Sequence, residues 1–247
     1  MGNKLTLLSN NHIKIAVIGN GKTGKAVVNN LPAENIHDIY TIDHPISLDN
    51  LYGANIAIVF VNHIALAEIL PILLQAKIPT ICATTGFDWT DVVKNDIYNS
   101  QSTWVVANNF SLSMHLIKNC IEILGNSQQL LSDINFNIHE VHHTQKLDAP
   151  SGTAISWNEW LNINDTNITY DRTDDVAGQH ILTITTPNEI ITLSHTALNR
   201  NLFAEGAIWA ADQLISHSDL KPGIIHFSQL IEHTLTHSQT QEEYSHA

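Results

Sequence analysis

The stretch Ile13-Lys14-Ile15-Ala16-Val17-Ile18-Gly19-Asn20-Gly21-Lys22-Thr23-Gly24 sets the fold of everything around it. Residues 13–19 are a short β-branched run that stops at a glycine. Residues 22–31 carry a helical pattern that Pro32 ends. Between them lies G-x-G-x-x-G, a spacing that is common alone but has a physical meaning between a strand and a helix. The first glycine permits the tight turn, the second lets a pyrophosphate approach the backbone, and the third lets helix and strand pack closely. Unpaired N–H groups at the helix start, with the helix dipole, favour the anion. Gly19, Asn20, Gly21, Lys22, Thr23 and Gly24 are therefore the candidate dinucleotide loop. A second strand, 38–43, ends at Asp43, 19 residues after Gly24. A carboxylate at that distance holds ribose hydroxyls and repels a 2′-phosphate. His44-Pro45-Ile46 follow with no Arg or Lys, so NADH is expected to be favoured over NADPH.

Outward from the loop, strands and helices alternate. Residues 54–61 are apolar throughout, as a strand buried on both faces must be. A helix over 63–77 interrupted by Pro71, a strand over 79–85, a helix over 90–99 and a strand over 103–107 follow. Such alternation builds right-handed βαβ units and a parallel sheet. The grammar changes after Asn108. Ser111 can cap a helix running to Gly125. Residues 134–142 alternate, with Ile134, Phe136, Ile138, Glu140 and His142 on one face. Ser151 can cap a helix over 152–161, and strands 180–186 and 190–196 flank Pro187-Asn188-Glu189 as a hairpin. Helices follow at 204–217 and 227–236, and the polar tail from His237 is expected to fray. The expected class is α/β: a Rossmann-like parallel-sheet dinucleotide-binding domain, discontinuous over 1–108 and 205–247. A second mixed α+β domain over 109–204 carries an open, largely antiparallel sheet.

Composition narrows the functions. The 247 residues hold 11 Lys+Arg against 24 Asp+Glu, a net charge of −13, which argues against nucleic acid or an anionic membrane as partner. An anionic small substrate needs only a few local cations. Two cysteines, Cys82 and Cys120, sit in apolar runs and make neither a disulfide framework nor a cysteine zinc site. The apolar runs are too short to span a bilayer. The opening stretch has no long apolar core or cleavage signature, so a cytoplasmic protein is expected.

The densest chemistry is Glu140-Val141-His142-His143-Thr144-Gln145-Lys146-Leu147-Asp148-Ala149-Pro150-Ser151-Gly152-Thr153. On a strand His142 and His143 point to opposite faces and take different work. An imidazole can transfer a proton near neutral pH. Lys146 can hold a carboxylate or stabilise developing negative charge. The Ser-Gly-Thr helix start can bind a carboxylate through backbone N–H groups and the Thr153 hydroxyl. His139, His142 and His143 offer imidazoles to a metal, but the spacing is not a helical HExxH and the lysine opposes a cation. No metal is assigned.

This segment resembles the E-x-H-H-x-x-K-x-D-A-P-S-G-T signature of the dihydrodipicolinate reductase family, also called 4-hydroxy-tetrahydrodipicolinate reductase. Three further blocks resemble the same family: Ala83-Thr84-Thr85-Gly86-Phe87, Ala107-Asn108-Asn109-Phe110-Ser111, and the run Arg172, Gly178-Gln179-His180, His195, Arg200, Phe203-Ala204-Glu205-Gly206-Ala207. The chain departs from the family pattern at Ala83, where glycine is usual, at Val59-Phe60-Val61, at Gln179, where glutamate is usual, and in a shorter glycine loop.

The resemblance implies NAD(P)H-dependent reduction of 4-hydroxy-tetrahydrodipicolinate to tetrahydrodipicolinate, on the diaminopimelate route to lysine. It implies His142 as proton donor and Lys146 as the cation that holds or polarises substrate. It implies His143, Gly152 and Thr153 at the carboxylates of a small dicarboxylate heterocycle. Ala83, Thr84, Thr85, Ala107, Asn108, Asn109 and Phe110 join the cofactor side. It further implies a substrate-binding and oligomerisation role for 109–204, a homotetramer built through that domain's sheet, and hinges near Asn108 and Ala204. Two alternatives stand beside it: another two-domain nicotinamide oxidoreductase, and a catalytically silent NAD-binding relative.

Overall fold

The structure, a computed structural model, describes residues 12–144, 146–173, 176–217 and 219–245, with side chains in the last helix to Thr236. The opening stretch, residues 1–11, lies outside them. The described chain divides into two compact units. One runs to Leu112 and resumes at Asn201; the other is Ser113–Arg200. Both divisions fall at helix starts.

The first unit holds β1 (Ile15–Ile18), α1 (Lys22–Asn30), β2 (Ile36–Tyr40), α2 (Leu48–Leu51), β3 (Ile56–Val59), α3 (His63–Ala76), β4 (Thr80–Cys82), α4 (Asp91–Asn99) and β5 (Thr103–Val106). Its six-stranded sheet has the order β10-β5-β4-β3-β1-β2, with β10 (Gly223–His226) arriving late in the chain and every pairing parallel. β1 and β3 are buried at all positions, and alternate residues serve two cores. Ile15, Val17, Ile56 and Ile58 face one layer; Ala16, Ile18, Ala57 and Val59 face the other. Asn62 caps α3, accepting from Ala65 N–H at 2.9 Å, and Thr90 caps α4 in the same way. Pro71 lies inside α3, which closes at Lys77 in a left-handed conformation.

The second unit holds α5 (Leu112–Asn126) from its second residue, β6 (Asn135–His142), α6 (Gly152–Leu161), β7 (Asn167–Arg172), β8 (Gln179–Thr185) and β9 (Ile190–Thr196). The sheet order is β7-β6-β8-β9; β6 pairs parallel with β7, and the other two pairings are antiparallel. β6 alternates as its sequence predicts, burying Phe136, Ile138, Glu140 and His142. Met114 and Ile121 of α5 and Trp157 and Leu161 of α6 pack on that apolar face. Gly125 makes this close: a Cβ there would lie 3.0 Å from the Leu161 carbonyl carbon.

The chain returns to the first unit through α7 (Asn201–Ser216), β10 (Gly223–His226) and α8 (Phe227–Ser245). Four elements differ from the sequence expectation. β2 ends at Tyr40, because Thr41 N–H bonds the His44 carbonyl (2.9 Å) and turns the chain; Asp43 is an exposed turn residue, not a strand end. β7 and β10 are strands where the sequence reading assigns no element. α8 continues helically to Ser245, past the expected end at 236. Among the described residues no helix is long and apolar enough to cross a membrane.

Candidate active site

In the first unit the parallel strands bring the loops after β1, β2, β4 and β5 to one edge of the sheet, the edge where such sheets bind ligands. Strand order turns at β1, flanked by β2 and β3. Gly19 leaves β1 at φ +104, a left-handed value that glycine adopts without strain, and its N–H bonds the Tyr40 carbonyl (2.9 Å). A Cβ at Gly19 would meet the Phe60 carbonyl carbon at 2.9 Å, and one at Gly24 would meet the Gly19 carbonyl carbon at 2.9 Å. Gly21 is different: a Cβ there meets nothing within 4 Å. Two glycines thus close the strand–turn–helix unit, while the middle one bares backbone beside open space, which fits a pyrophosphate. Asn20, Gly21 and Lys22 are exposed at the helix start.

Around that edge, Asp43 and Thr85 are exposed, as is Asn108, whereas Thr84 is buried. Ala83 fits where the family usually has glycine: half-buried, it packs against the core, with its N–H on the Val59 carbonyl (2.9 Å). Asn109 turns inward, its Oδ1 accepting from Ser111 N–H at 2.8 Å. The Phe110 ring is a core residue, 4.7 Å from the Phe227 ring, and so does not present an exposed wall. Beside Asp43, His44 pairs with Asp38 (2.8 Å) and stacks on Tyr40. The hydrogen bond from His44 holds the Asp38 carboxyl below its ordinary range.

In the second unit, strand register assembles a polar cluster that the linear sequence scatters. The β6–β8 register sets Glu140 opposite His180, and the β6–β7 register sets His142 opposite Arg172. Glu140 is fully buried. Its Oε1 accepts from Arg172 Nη2 (2.9 Å) and from Ser151 N–H (3.0 Å). Its Oε2 lies 3.5 Å from His142 Nδ1 and 3.6 Å from His180 Nε2. Burial alone would raise the Glu140 carboxyl; hydrogen bonds from Ser151 and Arg172, with His142 nearby, bring it below the ordinary range instead. Arg172 also donates to the Asp148 carbonyl (2.7 Å), tying the following loop to the strand. His180 meets Ser151 Oγ at 3.2 Å, and burial, then His142, push it down to about 3.

His142 is buried, and burial lowers its pKa; Glu140 and Asp148 pull it up, and Lys146 and Arg172 push it further down, for a net fall. His143 is half-buried, its Nδ1 without a hydrogen-bond partner among the described residues. Lys146 is paired with Asp148 at 2.9 Å. Burial would raise the Asp148 carboxyl, but Lys146, with a smaller contribution from the Gly152 backbone, lowers it. Ser151 caps α6, accepting from Ala154 N–H (3.1 Å), and a Cβ at Gly152 would meet nothing within 4 Å. Gln179, where the family usually has glutamate, faces away from this cluster and donates to Thr196 Oγ1 (3.2 Å).

Metal-ligand spacing among the described residues falls on Glu140, His142 and His180, whose ligand atoms lie within 4.8 Å of one another. It does not fall on the histidine trio weighed from sequence, because His139 points to the other face and bonds Thr169 Oγ1 (2.9 Å). Arg172 on the same carboxylate opposes a cation there. Sequence reasoning gave no task to Glu140, Arg172, His180 or the Ser151 side chain beyond its cap. The signal available was a glutamate on the apolar face of β6, where a buried carboxylate needs partners.

The family description "Dihydrodipicolinate reductase, C-terminus" matches residues 112–231. The 4-hydroxy-tetrahydrodipicolinate reductase of Bdellovibrio bacteriovorus is 32% identical over 169 residues, covering 67% of this chain and 71% of that protein. That of Stenotrophomonas maltophilia is 30% identical, covering 87% of each. A dipicolinate-bound dihydrodipicolinate reductase from Paenisporosarcina sp. TG-14 shares the fold at a TM-score of 0.65 and 19% identity, over 87% of this chain and 97% of that one. The glycine loop on its parallel sheet, the His-His-Lys segment and these likenesses agree: the chain belongs to the 4-hydroxy-tetrahydrodipicolinate reductase family.

Proposed function

We propose that this protein reduces 4-hydroxy-tetrahydrodipicolinate to tetrahydrodipicolinate with NAD(P)H, a step of diaminopimelate and lysine synthesis. The observation that carries it is the buried His142, 3.5 Å from Glu140 and followed by Lys146 and the α6 start in one segment. Gly19, Asn20, Gly21, Lys22, Thr23 and Gly24 hold the dinucleotide, with Asp43 at the ribose and Ala83, Thr84, Thr85, Ala107, Asn108 and Asn109 on the nicotinamide side, backed from the core by Phe110. The cofactor, when bound, supplies the hydride. His142 gives the proton that balances it. Lys146 leaves Asp148 to hold a substrate carboxylate. His143, the Gly152 N–H and Thr153 hold the rest of the dicarboxylate at the helix start.

Asp43 favours NADH over NADPH, since a carboxylate repels a 2′-phosphate. The protein works in the cytoplasm as a homotetramer, joined through the second unit's sheet on the face opposite α5 and α6. Exposed Ile190, Thr192 and Ser194 on β9 support that surface. The test is a coupled assay in which dihydrodipicolinate synthase makes the substrate from pyruvate and aspartate semialdehyde. NADH and NADPH loss are followed separately for wild type, His142→Gln, Lys146→Ala and Asp43→Ser. Turnover that collapses in the first two variants, and a shift toward NADPH in the third, is expected. NADH binding without turnover overturns the assignment.

A further inference from the structure

Glu140 has a carboxylate oxygen with no task in the fold. Oε1 takes Arg172 and the Ser151 N–H, which anchor the side chain from β7 and from the start of α6. Oε2 is buried and has no hydrogen-bond partner among the described residues. Two imidazole nitrogens face it. His180 Nε2 is the farther, at 3.6 Å, and is already engaged by Ser151 Oγ at 3.2 Å. His142 Nδ1, at 3.5 Å, is buried and equally without a partner. The other nitrogen of the same ring faces a glycine: a Cβ at Gly178 would stand 3.1 Å from His142 Nε2 and 3.3 Å from its Cδ2. One edge of the ring is thus turned to a fixed carboxylate, and the other is kept clear of side chain.

We infer that Glu140 is the positioning residue of this site: its Oε2 takes the Nδ1–H of His142, leaving Nε2, beside Gly178, as the nitrogen that gives up the proton. The inference rests on the reductase reading for the proton's destination, but not for its place on the ring. In the step, the Nε2–H bond breaks, its electron pair stays on Nε2, and the proton goes to the ring that has taken the hydride. The imidazole is left neutral with its remaining proton on Nδ1, against Glu140. Solvent then restores Nε2–H. A gap of 3.5 Å is the slack that such bonds show without substrate. The charges that face His142 are Glu140 on its own strand, Lys146 and Asp148 on the following loop, Arg172 on β7 and the neighbouring ring of His180 on β8. Of these, Glu140 is the one fully buried anion.

The test is a titration of the full-length protein labelled with 15N-histidine, without substrate, the His142 signals being identified by their loss in His142→Gln. Long-range 1H–15N spectra report which ring nitrogen carries the proton. The wild type is expected to show neutral His142 protonated on Nδ1. In Glu140→Gln the loss of a neighbouring anion is expected to lower the His142 midpoint by about 1–3 units. The limb of kcat/KM that falls with rising pH should move the same way, with kcat losing more than KM changes, and Glu140→Asp should restore part of kcat. A wild-type proton on Nε2, or a Glu140→Gln midpoint within about 0.3 unit of wild type, overturns the inference. If Glu140→Gln does not fold, because Arg172 is left unpaired, the wild-type spectrum decides alone. Nδ1 protonation in a protein that turns over no substrate would sink the reductase reading and leave the proton placement standing.

Discussion

The three glycines of Gly19-Asn20-Gly21-Lys22-Thr23-Gly24 predict two opposite phenotypes from one kind of substitution. In Gly24→Ala the new methyl would stand 2.9 Å from the Gly19 carbonyl carbon, with the oxygen closer still. Ordinary carbon contacts are about 3.5–4.0 Å, so β1 and α1 would have to part by at least about 0.6 Å. The obstacle is backbone, which cannot rotate away. Overpacking of this kind costs about 1–3 kcal/mol. At about 2–4 °C per kcal/mol for a chain of this size, the melting temperature should fall by about 2–12 °C. Gly21→Ala meets nothing within 4 Å, and Gly21 has φ −71, which alanine adopts freely. As the N-cap of α1, where glycine is favoured over alanine, it should lose about 0.5–1 kcal/mol. Its methyl instead fills the space against which a pyrophosphate would lie, and NADH affinity should fall at least about tenfold, or 1.4 kcal/mol. Thermal melts without cofactor, paired with fluorescence titration of NADH, separate the two. A Gly21→Ala protein that binds NADH like wild type, or a Gly24→Ala protein that melts like wild type, refutes the reasoning.

Further outcomes follow from the second unit and from α7. His180 is held neutral by burial, so its contribution to stability is present above its unfolded pKa of 6.5 and is lost as pH falls toward about 3. At pH 5 that is about 1.5 units, or about 2 kcal/mol. Urea unfolding at pH 7 and pH 5 should therefore show a smaller loss in His180→Leu than in wild type, and equal losses would count against a buried neutral ring. Asp148→Asn frees Lys146 from a half-exposed ion pair worth at most about 1 kcal/mol, so KM should fall about two- to fivefold with kcat little changed. A raised KM would mean that Asp148 holds the lysine in its working place. Gly206→Ala sets a methyl 2.8 Å from the Phe110 carbonyl carbon and should cost about 1–3 kcal/mol in calorimetry; an unchanged melt would show that α7 can shift.

Much of the first unit was legible. β1, β3, β4 and β5 are apolar runs buried on both faces, and each stands between turn or helix signals. β7, with Asn-Ile-Thr-Tyr-Asp-Arg, is an edge strand whose residues stay largely exposed, so no apolar pattern marks it. β10 lies at the other sheet's edge and has no fully buried position, so no buried apolar run marks it. The run 38–43 reads as one strand ending at Asp43. The Thr41–His44 turn, which depends on hydrogen bonds rather than hydropathy, stops β2 earlier. In the site, His142, Lys146, Gly152 and Thr153 stood together in one segment and were readable as chemistry. The roles of Arg172 and His180 were not: they reach the Glu140–Ser151 segment across 32 and 29 residues.

What the sequence by itself determined is local: where β1 ends, that a glycine turn opens α1, that Ser151 opens α6, and which residues of β6 share a face. Each follows from φ/ψ limits, caps and a two-residue period that act within a few residues. What only the tertiary structure decided is which groups meet the buried Glu140. The β6–β8 register puts His180 opposite Glu140, and the β6–β7 register puts Arg172 opposite His142. A slip of one residue in either pairing would turn those side chains to the other face of the sheet. Register is set by the packing of the whole sheet against α5 and α6, so no single segment contains it.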